Sequence, residues 1–367
     1  MAITSNIRRY RRAQGLSQEQ LAKKVGISRQ ALIRIESHRQ IPSTAVSLMF
    51  ARALGARVEE LFQLADEPHR MRVAKGSKST TGRVVLGRVD GKLVAHPIQG
   101  ETTPADGLVC DDMGDDNQLA VECFGTRKQA LDQVIVAGCA PILGLIAEYI
   151  SQQPRLGPVN WQMSNSSRSL KMLREGMVHS GGVHLAPSNG INAHHELARQ
   201  TFPDTPMALV HIAKWQAGLV ISGGNPLGVE NRYDLLRDDL RWAMREPGAS
   251  AHKLHNTLVR ELGGLNTRAA NTKSPKSHKE LAMLIDLGQA DVGIAIESVA
   301  IQRQLDFIPI VEERFDLLVP KHRLEQPALN QFIDALSSEG LKQQLHNVPG
   351  YDVSDCGHVY ECTGPIQ

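Results

Sequence analysis

Over the first 64 residues the apolar positions recur at helical spacing and stop at regular punctuation. Ile7, Leu16 and Leu21 mark the first helices, and Ser17 with Gln20 forms a capping-box pattern. Leu21, Ala22 and Val25 keep the helical period until Gly26 ends it. Ser28 caps a further helix whose inward face is Ala31, Leu32 and Ile35. Pro42 then breaks the chain, and a helix from Thr44 to Leu54 closes at Gly55. Residues 65–82 are polar, basic and without period. The segment RVVLGRVDGKLVAHPI carries two apolar stretches around Asp90-Gly91, the signature of a two-residue hairpin turn.

From about residue 131 short apolar runs alternate with helical patterns. VIVAG (134–138), GLVISGG (218–224) and DVGIAI (291–296) read as strands, and FIPI and FDLLVP as two more. Helices are expected near Pro141, over KELAMLIDLG, from Glu297, and from Pro327 to Leu345. Such alternation predicts an α/β body with mostly parallel pairing. The chain thus divides into an all-α head (1–66), a linker (67–82), a connecting segment with a hairpin (83–128), the body (129–355) and a tail (356–367).

Charge sharpens this division. The 367 residues carry a net charge of only +2, yet residues 1–68 hold eleven Lys/Arg against six acids, a local +5. A basic head on a mildly acidic body points to a polyanion as the head's partner. The start MAITSNIRRYRRAQG has no apolar run behind its charges, which argues against a secretory signal. No run of about 18 apolar residues exists, so no membrane partner is expected. Five cysteines, odd in number and without a CxxC pair, argue against disulfides or a zinc ribbon. A cytoplasmic protein is expected.

LSQEQLAKKVGISRQALIRIESHRQIPS puts a helix, a tight turn at Gly26 and a second helix in order. Major-groove readout needs the second helix to bring its first residues to base edges, where arginine can bridge guanine and glutamine can pair with adenine. Arg29, Gln30 and Arg34 share one side of that helix. Residues 5–64 closely resemble the Xre/Cro family of helix-turn-helix regulators. The resemblance implies base contacts from Arg29, Gln30 and Arg34, a phosphate contact at the helix start Gln18, and backbone contacts near Ser28, Arg39 and Ser43. Glu36 matches a structural position of the family's ESGRR-like motif, here ESHRQ, with His38 in place of the common glycine. Double-stranded operator DNA is the partner this implies, and a small headpiece on half-sites about 34 Å apart implies a homodimer.

VAGCAPILGL, SNSSRSLKMLREGMVHSGGVHL, WQAGLVISGGNP, REPGASAHKL, ADVGIAIESVA, LDFIPIVEERFDLLVP and GYDVSDCG occur in order through the body. Over 131–355 they resemble a molybdate-binding-like, periplasmic-binding-protein-like domain. The implied fold class is multidomain, a helix-turn-helix head plus an α/β two-lobed type II binding domain. The implied effector is an oxyanion such as molybdate or tungstate, or a small organic acid. Strand-to-helix junctions favour anions through free N–H groups and the helix dipole. They place Gly138, Cys139, Ala140, Ser164, Ser166, Ser167, Arg245, Gly248, Ala249, Ser250, His252 and Glu297 at the candidate pocket. Serines before a helix also serve simply as caps, and His252 stands where the resemblance expects arginine. Chain crossings near Trp215–Ile221 and Phe307–Pro320 would hinge the lobes.

No metal site or cofactor is expected. His179, His184, His194 and His195, with Glu196, lack HExxH spacing and read as surface or packing residues. Asp111, Asp112, Asp115 and Asp116 lack EF-hand spacing and read as a solvated loop. The absence of GxxxxGK[ST], GxSxG and a strand-borne GxGxxG argues against an enzyme, and nothing beyond spacing supports a Ser166–His252 catalytic pair. The expected function is a ligand-responsive transcription regulator. The alternatives are a constitutive regulator with a purely dimerising body, or an enzyme tethered to the head.

Overall fold

A computed structural model describes residues 3–64, 70–76, 82–98, 104–112, 118–124, 132–153, 156–185, 191–264 and 272–362. The chain forms two compact units, residues 1–70 with 122–126, and residues 71–121 with 127–367.

The first unit holds α1 (Ile7–Ala13), α2 (Gln18–Val25), α3 (Arg29–Glu36), α4 (Thr44–Leu54) and α5 (Val58–Leu61). A two-stranded antiparallel ribbon, β1 (Ile3–Ser5) and β2 (Phe62–Leu64), joins its two ends. The helices begin and end where the side chains dictate. Ser17 caps α2 in a reciprocal capping box with Gln20, and Gly26 takes the left-handed conformation that turns the chain, at φ 73°. Ser28 and Ser43 cap α3 and α4. Ile7, Leu21, Val25, Leu32, Ile35, Phe50, Leu54 and Leu61 form one buried core.

In the second unit, β3 (Arg70–Lys75), β4 (Arg83–Val89), β5 (Lys92–Pro97), β6 (Gly107–Asp112) and β7 (Gln118–Cys123) close into a barrel in the order β3-β5-β4-β6-β7. β4 and β5 form the hairpin around Asp90 and Gly91, both at positive φ as a type I′ turn requires. β3 runs through the stretch read as linker. Its Met71 and Val73 face inward, and it pairs in parallel with β5, about twenty residues further on.

The remaining elements, in chain order, are β8 (Val134–Gly138), α6 (Ile142–Ser151), β9 (Val159–Met163), α7 (Ser166–Arg174), β10 (Ser180–Leu185), α8 (Ile191–Thr201), β11 (Met207–Ile221), β12 (Trp242–Ala243), α9 (Ser250–Glu261), β13 (Thr272–Lys273), α10 (His278–Asp286), β14 (Val292–Ile296), α11 (Glu297–Gln302), β15 (Asp306–Pro320), α12 (Pro327–Leu336), α13 (Glu339–His346) and β16 (Val359–Glu361). The sheet order is β13-β12-β14-β11-β15-β10-β8-β9, with β16 also on β11.

Pairing is parallel only on the flanks, β9-β8-β10 in one lobe and β13-β12-β14 in the other. The centre is antiparallel, so the expectation of a mostly parallel sheet does not hold. There β11 and β15, 15 residues each, pair along almost their whole length. FIPI and FDLLVP are two ends of the one strand β15. β11 serves both lobes, pairing with β16 through Ala208–Val210 and with β14 through Ala217–Ile221. Register shifts at 211/213 and 217/218 bracket Trp215, within the expected hinge. The helix expected from 327 to 345 is broken into α12 and α13, because Ser338 caps a new helix.

The barrel is part of the second unit's core. Val89, Val94, Ile135, Leu170, Val178 and Val183 form one buried cluster across it. At the hairpin tip Asp90 accepts from Arg323 Nε at 2.9 Å and Nη2 at 2.6 Å. Two buried histidines complete the joint. His96 Nε2 donates to the Met177 carbonyl at 2.7 Å. His179 accepts from Ile135 N–H at Nδ1 and donates from Nε2 to the Arg88 carbonyl. Burial pushes both imidazoles down to about 4, with the nearby Arg323 charge acting further on His179.

Candidate functional site

The first candidate surface is α3 with its flanks. Leu32, Ile35 and Glu36 turn inward, leaving Arg29, Gln30 and Arg34 exposed, with Arg39 exposed just beyond the helix end. The helix is fixed from beneath by a buried network. Arg11 donates to both Glu36 oxygens, at 2.6 Å and 3.2 Å, and to the Leu16 carbonyl. Despite the opposing cost of burial, Arg11 and Gln18 hold the Glu36 carboxyl below its ordinary range. Gln18, read as a phosphate contact, spends its amide on Glu36 Oε2 at 3.0 Å, so only its helix-start N–H remains for a phosphate. Ser28 and Ser43 likewise use their hydroxyls as caps, on Ala31 N–H and Val46 N–H. His38 takes up the left-handed conformation of the glycine it replaces, at φ 59°, and its Nδ1 accepts from Ser5 N–H.

The second candidate is the cleft where the two lobes of the body meet. Ser166, the first residue of α7, and Ser250, the first of α9, share a hydrogen bond at 3.1 Å. Ser250 also donates to the His184 carbonyl at 2.7 Å. Asn165 Nδ2 donates to Glu246 Oε1 at 3.0 Å, and Ser167 N–H to the Gly248 carbonyl. Gly248, at φ 95°, lies directly against Ser167, where a Cβ would press on the serine and on Asn165. Arg245 is buried, bound by Glu246 and the Lys276 carbonyl, while its Nη1 has no partner among the described residues. His252 donates from Nδ1 to the Arg245 carbonyl. Ala249 is the N-cap of α9 and supplies no side-chain cap.

The sequence-derived residues therefore separate. Ser166, Ser167, Gly248 and Ser250 meet between the lobes, with Arg245, Ala249 and His252 on the same turn-to-helix segment of the second lobe. Ser164 instead bonds Ser169 at 2.7 Å within its own lobe, and the Gly138 carbonyl is taken by Ser164 N–H and Trp161 Nε1. Ala140 is packed at the start of α6. Glu297 borders a different, shallow opening with Lys214, Gln216, Glu312 and Asp352.

Cys139 meets His184, read from the sequence as a surface or packing residue, together with Glu313 and His278, which that reading did not single out. His184 donates from Nδ1 to Glu313 at 2.6 Å, and Trp215 Nε1 donates to the same carboxylate oxygen at 2.9 Å. His184 is also hydrogen-bonded to Cys139. Burial opposes its charge, but Glu313 and Cys139 raise the imidazole to about 10. His278 lies beside it, with ring centroids 5.9 Å apart. Burial, the Arg245 charge and then His184 push His278 well down, and its Nδ1 has no partner among the described residues. Cys139, His184 and His278 bring their ligand atoms within 4.8 Å of one another, although the sequence was read as holding no metal site. The other histidines of the sequence cluster scatter. His179 joins the barrel, while His194 and His211 donate to the buried Asp316. The aspartates at 115 and 116 lie outside the described residues.

An exposed basic helix on a capped helix-turn-helix, and a polar seam between lobes sharing two long strands, define the class. This is a helix-turn-helix DNA-binding transcription regulator carrying a two-lobed ligand-binding domain. Residues 147–337 match the PBP superfamily domain and residues 7–61 the helix-turn-helix family, so the chain belongs to the PBP superfamily and bears a helix-turn-helix head. An HTH-type transcriptional regulator of Archaeoglobus fulgidus is 40% identical over 65 residues, 18% of this chain and 93% of that protein. The protein YvgK of Bacillus subtilis is 26% identical over 230 residues, 62% of this chain and 73% of YvgK. Among solved structures, the sulfate-binding protein SubI of Mycobacterium tuberculosis aligns with TM-score 0.45 and 15% identity, covering 61% of this chain and 87% of SubI. No helix among the described residues is long and apolar enough to cross a membrane.

Proposed function

We propose that the protein is a cytoplasmic, sequence-specific, homodimeric regulator whose operator affinity responds to a small anion held between the lobes. Its body binds the effector without chemically transforming it. The observation that carries this reading is Arg245. A guanidinium buried with one nitrogen unpartnered is costly to leave so, and a bound anion would complete its hydrogen bonds. Nearby, α9 starts without a side-chain cap, so its first N–H groups remain available to the same ligand. The Ser167 hydroxyl adds a neutral donor, since Ser250 spends its proton on the His184 carbonyl and Ser166 spends its own on Ser250.

The lobes supply the transmission. An anion touching both would favour their approach about β11 and β15, and the coupling to the head would be about 1–3 kcal/mol, or roughly five- to 150-fold in operator affinity. On the DNA side, Arg29, Gln30 and Arg34 read base edges, Arg39 and the N-termini at Gln18, Ser28 and Ser43 hold phosphates, and two heads occupy two half-sites.

The test measures operator binding by the full chain with molybdate, tungstate, sulfate, phosphate and small organic acids, alongside thermal midpoints. One class should raise the midpoint and shift operator affinity, and Arg245→Met should abolish both responses while leaving ligand-free operator binding intact. If no compound of this set changes operator affinity, the constitutive reading replaces this one.

A further inference from the structure

The cleft also contains a group of side chains with no need to lie together for packing. Cys139 follows β8 and His184 lies one residue before the end of β10, both in one lobe. His278 opens α10, which packs against β14 in the other lobe. All three are buried, and one sulfur and two imidazole nitrogens converge within 4.8 Å. That donor set, one soft and two borderline ligands, suits zinc and its neighbours rather than calcium or magnesium.

The surroundings match what a metal-bound imidazole requires. A ligating histidine donates its other ring N–H to a carboxylate, which fixes the ring and raises its basicity. Here His184 Nδ1–H donates to the Glu313 carboxylate at 2.6 Å, and Trp215 Nε1–H donates to the same oxygen and helps hold it in place. His278 keeps its buried Nδ1 without a partner among the described residues. Charge closes as well: a divalent ion, a Cys139 thiolate and the Glu313 carboxylate sum to zero, and the nearby Arg245 is offset by Glu246.

We propose that Cys139, His184 and His278 bind one zinc-class divalent ion, with Glu313 as the positioning residue for His184, and that this ion ties the two lobes together. Three protein ligands leave the fourth tetrahedral position open to water or to an oxygen of the effector. Binding releases the Cys139 and His184 protons to solvent, and no oxidation occurs. This goes beyond the anion-responsive reading, which requires only Arg245 and the helix start.

The experiment uses the reduced, metal-stripped full-length chain titrated with cobalt(II), then displaced with zinc(II). One equivalent should produce a thiolate-to-cobalt charge-transfer band with tetrahedral ligand-field bands. Cys139→Ser should remove the charge-transfer band, and His278→Gln should weaken cobalt binding by tenfold or more. Glu313→Gln should weaken it while keeping the band. Because a variant could fail to fold, X-ray absorption on the zinc-loaded wild-type chain gives an independent answer, one sulfur and at least two nitrogen neighbours. A sulfur-free shell, no stoichiometric binding, or an unchanged band in Cys139→Ser would overturn the site. Anion-induced midpoint shifts, recorded on the metal-stripped protein, report separately on the Arg245 reading, so the two proposals fail independently.

Discussion

Lowering the pH should weaken the second unit through the two histidines that join barrel and sheet. His96 and His179 are neutral in the fold and sit near 4, against about 6.5 in the unfolded chain. A depressed histidine contributes stability that is complete above 6.5 and is lost as pH falls toward 4. At about pH 5 each unfolded imidazole is charged while its folded counterpart is not, a penalty of about 2 kcal/mol, or about 4 kcal/mol for the pair. His278, also lowered, acts in the same direction. His184, raised to about 10, is charged in both states below 6.5 and adds no slope there. All three tryptophans, Trp161, Trp215 and Trp242, lie in the second unit, so their fluorescence in urea follows that unit alone. His96→Gln keeps a donor toward the Met177 carbonyl but cannot titrate. It should therefore remove about half of the two-histidine loss between about pH 6.5 and 5. Identical slopes for wild type and H96Q would refute the assignment of acid sensitivity to this joint.

Other substitutions probe separate parts of the molecule. Arg29→Ala or Arg34→Ala should reduce discrimination between operator and scrambled duplex by about 1–3 kcal/mol, measured by fluorescence anisotropy at fixed salt. Arg11→Ala leaves Glu36 buried without its ion pair and should cost the head about 3–5 kcal/mol, visible as an earlier calorimetric transition of the first unit. Gly218→Ala puts a Cβ into the Ile308 carbonyl oxygen at the register shift of β11 and should destabilise the second unit by about 1–3 kcal/mol in urea melts.

The head was legible because its instructions are local. Ser17, Gly26, Ser28 and Gly55 each act within four residues, and each cap forms where the sequence places it, while Ser43 caps the next helix as well. The long central strands were only half legible. β15 passes through Glu312, Glu313 and Arg314, a charged stretch that reads as a break, yet Glu313 is buried because His184 and Trp215 satisfy it. β3 was hidden in a basic, unpatterned stretch because its partner is distant along the chain. The serines of the cleft could be found from their helix starts. The Cys139, His184 and His278 group could not, since no local pattern connects residues 45 and 94 positions apart. Only the crossing of the sheet from one lobe to the other joins them.

Among the described residues, hydrogen bonds across the seam between the lobes include Ser166–Ser250, Ser250–His184, Asn165–Glu246 and Ser167–Gly248, most of them between neutral groups. Bonds of that kind are each worth about 0.5–1.5 kcal/mol net, so together they resist separation by only a few kcal/mol. Inverting a 1:99 population needs about 5.5 kcal/mol of preference for one arrangement. A latch this light sits inside the range that one small solute can command, so the binding domain can behave as a dial rather than a lock.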